Sequence, residues 1–235
     1  MSQNAKVASQ NWSALTADER AFYLDAFRTI LMNRRHELAE IISRENGKPL
    51  WESRNEVQSM IDKVALSLEA YGLRCAGIIH DYPNARSITR HRPHGAVAIF
   101  GPFNFPGHLP NGQIIPALLA GNTVIFKPSE FTPLTGETLA NYWLEAGLPK
   151  SVLNVVQGGK ETGQALMQHP DIQGAFFTGS YATGRLFAEY FGKHPEKILA
   201  LEMGGNNPLI INEIDEIETA AAAYLTIQSA YLSAG

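Results

Sequence analysis

Five short apolar runs, each followed by a turn or a charged strand end, constrain this chain more than any other feature. They lie at residues 96–100 (AVAIF), 123–126 (TVIF), 152–156 (VLNVV), 174–177 (GAFF) and 198–201 (ILAL). A run without polar alternation suits a strand covered on both faces, as in a parallel sheet. Stretches of helical length separate the runs: 109–119, 136–146, a short one ending near Met167, and one beginning near Thr183. Strands alternating with helices of this length make βαβ units with right-handed crossovers. The expected fold is therefore α/β, an open doubly wound parallel sheet of about five strands. Pro116 inside the first of these helices predicts a kink or a late start, and an alanine-rich stretch from Ile217 to Leu232 reads as a closing helix.

Ahead of the sheet the pattern is helical. Leu15, Phe22, Phe27, Leu31, Leu38, Ile41 and Ile42 recur at near-helical spacing and predict one helix over about 17–45, with Asp18 and Glu19 in its first turn. The turn ENGKP ends it, because Gly47 offers a C-cap and Pro49 forbids continuation. A second helix follows over 51–72, with Val57, Met60, Ile61, Val64 and Leu66 as its apolar side. Both helices read as scaffold, and residues 80–85 as a turn-rich linker. The chain thus divides into a helical layer, 1–80, and an α/β nucleotide-binding region, 81–235.

Composition narrows the function. With 45% hydrophobic and 18% charged residues in 235, the chain has material for a substantial core. A net charge of −4 provides no basic footprint for nucleic acid. No apolar run approaches the ~20 residues of a membrane span, and the segment MSQNAKVASQNW lacks a signal core, so a cytoplasmic location is expected. Cys75 is the only cysteine, which removes intrachain disulfides and cysteine clusters; it falls at the end of a predicted helix and reads as structural. His91 and His94 have no acidic partner nearby, and no metal site is expected.

The richest stretch runs from Gly174 to Gly205. An apolar strand leads into the turn Thr178-Gly179-Ser180, a helix begins behind it, and a second strand carries Glu202 to a glycine pair. Backbone N–H groups at such a turn, with the helix N-terminus, form an anion site suited to a pyrophosphate. A carboxylate at a strand's C-terminal end stands where open α/β sheets bind ligands. The spacing of Gly179 and Gly184, G-x-x-x-x-G, equally suits an ordinary βα turn, and Glu202 a turn cap.

In this order the strings PFNFP, KPSE, FTGSYATG and LEMGGNNP, preceded by ENGKP, resemble the aldehyde dehydrogenase superfamily. The resemblance implies a Rossmann-like cofactor domain, NAD as cofactor and a small-molecule aldehyde as substrate. It makes Asn104 the amide donor to the reacting oxyanion and Glu202 the general base for thioester hydrolysis, with a pKa that partial burial beside Leu201 and Met203 would raise. It places Lys127, Ser129 and Glu130 at the adenosine ribose, where the Glu130 carboxylate would repel a 2′-phosphate. Gly158 would lie by the adenine, and Gly179, Ser180, Tyr181, Ala182, Thr183 and Gly184 along the pyrophosphate and nicotinamide side. Left open are a self-satisfied turn asparagine at 104 and an exposed, capped turn at 127–130.

RHRPHG, GPFNFPGHLPNGQ and ALEMGGNNPLII look most like the branch that oxidises succinylglutamate semialdehyde in arginine catabolism. Arg90 and Arg92 offer cationic partners for such a dianion, though no spacing fixes them at the site. The family's nucleophilic cysteine, counted from Glu202, falls past Gly235. The expectation is therefore a cofactor-binding portion that ends before the nucleophile, with a separate catalytic half or a homo-oligomer as protein partner. The alternative is an NAD-binding or interaction module without dehydrogenase activity.

Overall fold

The computed structural model describes residues 1–205, 208–213 and 215–232; Asn206 and Asn207 of the LEMGGNNP string and residues 233–235 lie outside them. Four helices come first: α1 (Ser2–Ala14), α2 (Ala17–Asn33), α3 (Arg35–Asn46) and α4 (Leu50–Arg74). A hairpin of β1 (Ile78–Tyr82) and β2 (Ala85–Thr89) follows. The remainder alternates: β3 (Ala96–Phe100), α5 (His108–Leu119), β4 (Thr123–Lys127), α6 (Pro133–Glu145), β5 (Leu153–Val155), α7 (Lys160–Met167), β6 (Gly174–Gly179), α8 (Tyr181–Phe191), β7 (Ile198–Met203) and α9 (Glu216–Tyr231).

The sheet order is β5-β4-β3-β6-β7, every pair parallel. From β3 the chain winds outward through β4 to β5, then returns to the other side of β3 for β6 and β7. This is the doubly wound arrangement read from the sequence. Its central apolar runs are unbroken because β4, β3 and β6 each feed two cores. On β3, Val97 and Ile99 join a cluster with Phe27, Leu31, Val57, Met60, Ile114 and Trp143 of the helical layer, α5 and α6. Ala96, Ala98 and Phe100 point the other way, into a cluster with Met167, Phe187 and Phe191 of α7 and α8. The helical layer and the sheet therefore share one core, and the division at residue 80 falls inside β1.

Several expectations change. The helix expected over 17–45 is two, broken at Arg34 (φ −108°, ψ 20°). No glycine or proline marks the break; Arg34 instead pairs with Glu145 of α6 at 2.6 Å and lies over the Tyr142 ring. A capping box at Thr16 and Glu19 starts α2. Phe22, counted in the helical apolar spacing, and Leu66, placed on the apolar side of the second helix, are exposed. α1 was not legible as a helix; it packs on β3 and β4, where its Ala5 carbonyl accepts from Thr123 Oγ1 at 2.9 Å. The linker near residue 80 is the hairpin, with all of its strand residues exposed. Pro116 neither delays nor ends α5, which runs through it.

Phe27 stacks on Trp143 with centroids 3.8 Å apart, both fully buried. Phe27→Ala is expected to cost about 3–5 kcal/mol through the cavity it leaves, and Phe22→Ala, at an exposed position, under about 0.5 kcal/mol. Urea unfolding midpoints of the two variants check the contrast.

Candidate functional site

In an open α/β sheet the ligand crevice lies beyond the C-terminal strand ends, where the winding reverses. That point here is between β3 and β6, paired through Phe100 and Phe177. The loops leaving them diverge and open a cleft of about 1100 Å³, above the roughly 300–1,000 Å³ usual for small-ligand sites. A smaller groove of about 520 Å³ between α1 and residues 149–152 carries none of the sequence-marked residues.

Asn104, Lys127, Ser129, Glu130, Gly179, Ser180, Ala182, Thr183 and Glu202 all line this one cleft. Gly158, Tyr181 and Gly184 do not. Gly158 has φ +140°, and a Cβ there would meet Thr162 Oγ1 at 2.1 Å, so the start of α7 needs a glycine. Gly184 is buried under β7, where a Cβ would meet Met203 Sδ at 2.2 Å. Its missing side chain lets α8 lie close to the sheet.

Each lining residue has a local reason for its place. Ser180 is the N-cap of α8: its Oγ accepts from the Thr183 N–H at 3.2 Å and donates to Thr183 Oγ1 at 3.0 Å. α8 begins at Tyr181, ahead of the expected start, and the Tyr181 and Ala182 N–H groups have no intrahelical acceptor. They are the donors that a helix N-terminus offers an anion. At the end of β4, Lys127 is almost fully buried; its Nζ donates to the Pro128 carbonyl at 3.0 Å and pairs with the half-exposed Glu130 carboxylate at 3.6 Å. Burial holds the Lys127 ammonium below its ordinary pKa, partly offset by Glu130. Ser129 Oγ accepts from the Phe131 N–H at 3.3 Å. Phe103 and Phe131 meet edge to face above this corner, with centroids 6.2 Å apart.

Asn104 Oδ1 accepts from the Phe105 N–H at 3.1 Å, and Nδ2 has no partner among the described residues. With the oxygen committed to its own turn, the amide nitrogen remains to donate. Of the two readings left open for Asn104, this geometry shows the turn contact, with the amide nitrogen left over among the described residues. Glu202 is the next-to-last residue of β7 and pairs with Thr178, which accepts from Gln113 Nε2 at 3.0 Å. The expected partial burial of Glu202 is not found; its side chain is exposed at the cleft. Arg90 and Arg92 are exposed ahead of β3, at the N-terminal edge of the sheet, opposite the cleft. Cys75 follows the last residue of α4 and does not line the cleft.

Two site features were not read from the sequence. One is the helical layer's reach to the loop after β3, through Lys48 and Glu56; the ENGKP resemblance was the only signal. The other is His108, which does not line the cleft itself; it is half-buried at the start of α5, with Nδ1 unpartnered among the described residues. Burial foremost, then Lys63, pushes its pKa below the ordinary 6.5, while Glu56 and Glu202 pull the other way.

The Aldehyde dehydrogenase family model matches residues 1–235. The chain belongs to the aldehyde dehydrogenase family. It is 53% identical to N-succinylglutamate 5-semialdehyde dehydrogenase of Escherichia coli (strain HS) over 98% of its own length and 46% of that relative's. It superimposes on an E. coli NADP-dependent enzyme with a TM-score of 0.90 at 33% identity, covering 100% of this chain and 48% of that one. An NAD-dependent aldehyde dehydrogenase from Sinorhizobium meliloti gives a TM-score of 0.86 at 31% identity, over 94% and 44%. The chain thus spans a little under half the length of these relatives.

The lowered His108 pKa carries a stability signature. Between the folded value and 6.5 the unfolded chain binds more protons at this site, so its contribution falls as pH drops through that window and is level above it. Acidification from pH 7.5 to 5.5 should lower the urea midpoint more in the parent chain than in His108→Gln. Equal losses in the two proteins would contradict the burial-driven shift.

Proposed function

We propose that this chain is the NAD-binding and oxyanion-donating portion of an aldehyde dehydrogenase that oxidises succinylglutamate semialdehyde to succinylglutamate in arginine catabolism. The observation that carries the proposal is the convergence of Asn104, Glu202 and the Lys127–Glu130 pair on one cleft at the sheet's switch point. The substrate follows the activity named for the E. coli relative.

The cleft fits a dinucleotide in its donor set. Lys127 and Glu130 put a cation and a carboxylate side by side, which suits donation to and acceptance from a ribose diol. The free N–H groups at the start of α8 suit a pyrophosphate. Glu130 favours NAD over NADP, since a 2′-phosphate would meet like charge there. When bound, NAD supplies the hydride acceptor.

The chain's own residues act on the aldehyde and on water. Asn104 Nδ2 donates to the carbonyl oxygen as negative charge develops on it, a contribution on the order of 3 kcal/mol to the barrier. Glu202 takes a proton from the water that releases the acid. The cleft holds no thiol, because the single cysteine of the sequence lies at the end of α4. The second reading is an NAD-binding module without dehydrogenase activity of its own.

Calorimetric titration of the 235-residue chain tests both readings. NAD should bind and NADP more weakly, Lys127→Ala or Glu130→Ala should weaken NAD about tenfold, a loss typical of a charged hydrogen bond, and Glu130→Gln should narrow the difference between the two dinucleotides. Folded protein that shows no heat with NAD would sink the proposal, and aldehyde-dependent NADH formation by the chain alone would overturn the reading of Cys75.

A further inference from the structure

A fully buried ion pair, between Lys48 Nζ and Glu56 Oε2, lies in the helical layer. Such a pair is a poor source of stability, because desolvating both charges offsets most of their attraction, and apolar residues of like volume often serve a fold as well. Its remaining hydrogen-bonding capacity is spent elsewhere. Lys48 Nζ also donates to the Asn104 carbonyl at 2.9 Å and lies 4.2 Å from the centre of the Phe105 ring. Glu56 Oε1 accepts from the N–H groups of both Gly107 and His108, at 2.9 Å each. Asn46 Nδ2 adds a second donor to the Asn104 carbonyl at 3.3 Å, while Asn46 Oδ1 accepts from the Lys48 N–H at 3.2 Å.

These contacts grip the loop from Asn104 to His108 at both ends, from residues about fifty positions earlier. The loop needs such a grip, since Pro102 and Pro106 fix φ but bring no N–H of their own. With the Asn104 carbonyl clamped from the helical side, its side-chain oxygen closes on the Phe105 N–H and its amide nitrogen is left for the cleft.

We propose that the Lys48–Glu56 pair, with Asn46, is the positioning device for the Asn104 amide, setting where the oxyanion donor stands. The proposal rests on the reading of Asn104 given above. Lys48 and Glu56 are positioning residues; neither lines the cleft. Donor placement has a narrow tolerance, and an error of about 1 Å can cost on the order of 100-fold in rate.

The test is nuclear magnetic resonance of the 15N-labelled asparagine side chains, with the Asn104 signal assigned by its loss in Asn104→Asp. In Lys48→Met/Glu56→Gln both charges go together, so no charge is left buried alone, and the amide that replaces the carboxylate still offers an acceptor to Gly107 and His108. The double variant is expected to keep NAD affinity within about twofold, a small change on the affinity scale, while the Asn104 amide signal shifts and broadens. A pair that served only stability would lower the unfolding midpoint and leave that signal in place. An unchanged Asn104 signal in the folded double variant overturns the proposal. Should that variant not fold, Asn46→Ala, which removes one donor to the same carbonyl and keeps the pair, decides the question by the same signal. Loss of NAD binding in the parent chain would instead count against the cofactor reading, leaving the Asn104 result to be judged on its own.

Discussion

A strand of a parallel sheet has to hide both of its faces, and in this protein that requirement falls hardest on β3. Its odd and even residues enter different cores, one shared with the helical layer, α5 and α6, the other with α7 and α8. The helices packed on the sheet take their places from these two surfaces, and α1 reaches both, with Trp12 in the first and Ala5 in the second. β3 also sits at the centre of the strand order, so the reversal of winding, and with it the cleft, occurs at its C-terminal end. Burial and ligand geometry therefore have the same origin.

Around that point the structure separates what is held from what is offered. Lys127 is nearly buried, while Glu130 beside it is half open. Asn104 has its carbonyl and its side-chain oxygen engaged and its amide nitrogen unpaired among the described residues. Ser180 closes the third N–H of α8 and leaves the first two. In each case one part of a residue or turn is fixed by contacts within the protein while another part is left unengaged among the described residues.

Much of this was legible because parallel strands announce themselves. AVAIF, TVIF and ILAL admit few other readings, and the turns after them carry the strings that resemble a family. What was not legible depended on tertiary context. The β1–β2 hairpin has no buried face, so no alternation betrays it. The break at Arg34 carries no breaker residue and follows from packing against α6. Glu56 looks like an ordinary charge on a helix surface until the loop it caps, some fifty residues on, is brought against it. Glu202 was expected at the end of the strand and half-buried; β7 runs one residue past it and its side chain is exposed, because exposure at a strand end is decided by what lies over it.

The turn that joins α3 to α4 reaches in two directions. Lys48 and Asn46 hold the loop after β3, while the Glu45 carboxylate accepts from the Leu134 and Thr135 N–H groups, both at 2.7 Å, and so caps α6 just beyond the corner where Lys127 and Glu130 stand. The loop that carries Asn104 and the corner that carries Lys127 and Glu130 are thus anchored to three residues of one short stretch, Glu45, Asn46 and Lys48. Anyone grafting either loop onto a relative would have to transplant this turn and Glu56 with it. Moved alone, the loop would leave a buried lysine or carboxylate facing partners of the wrong shape, and the graft would fail in the scaffold before its chemistry could be judged.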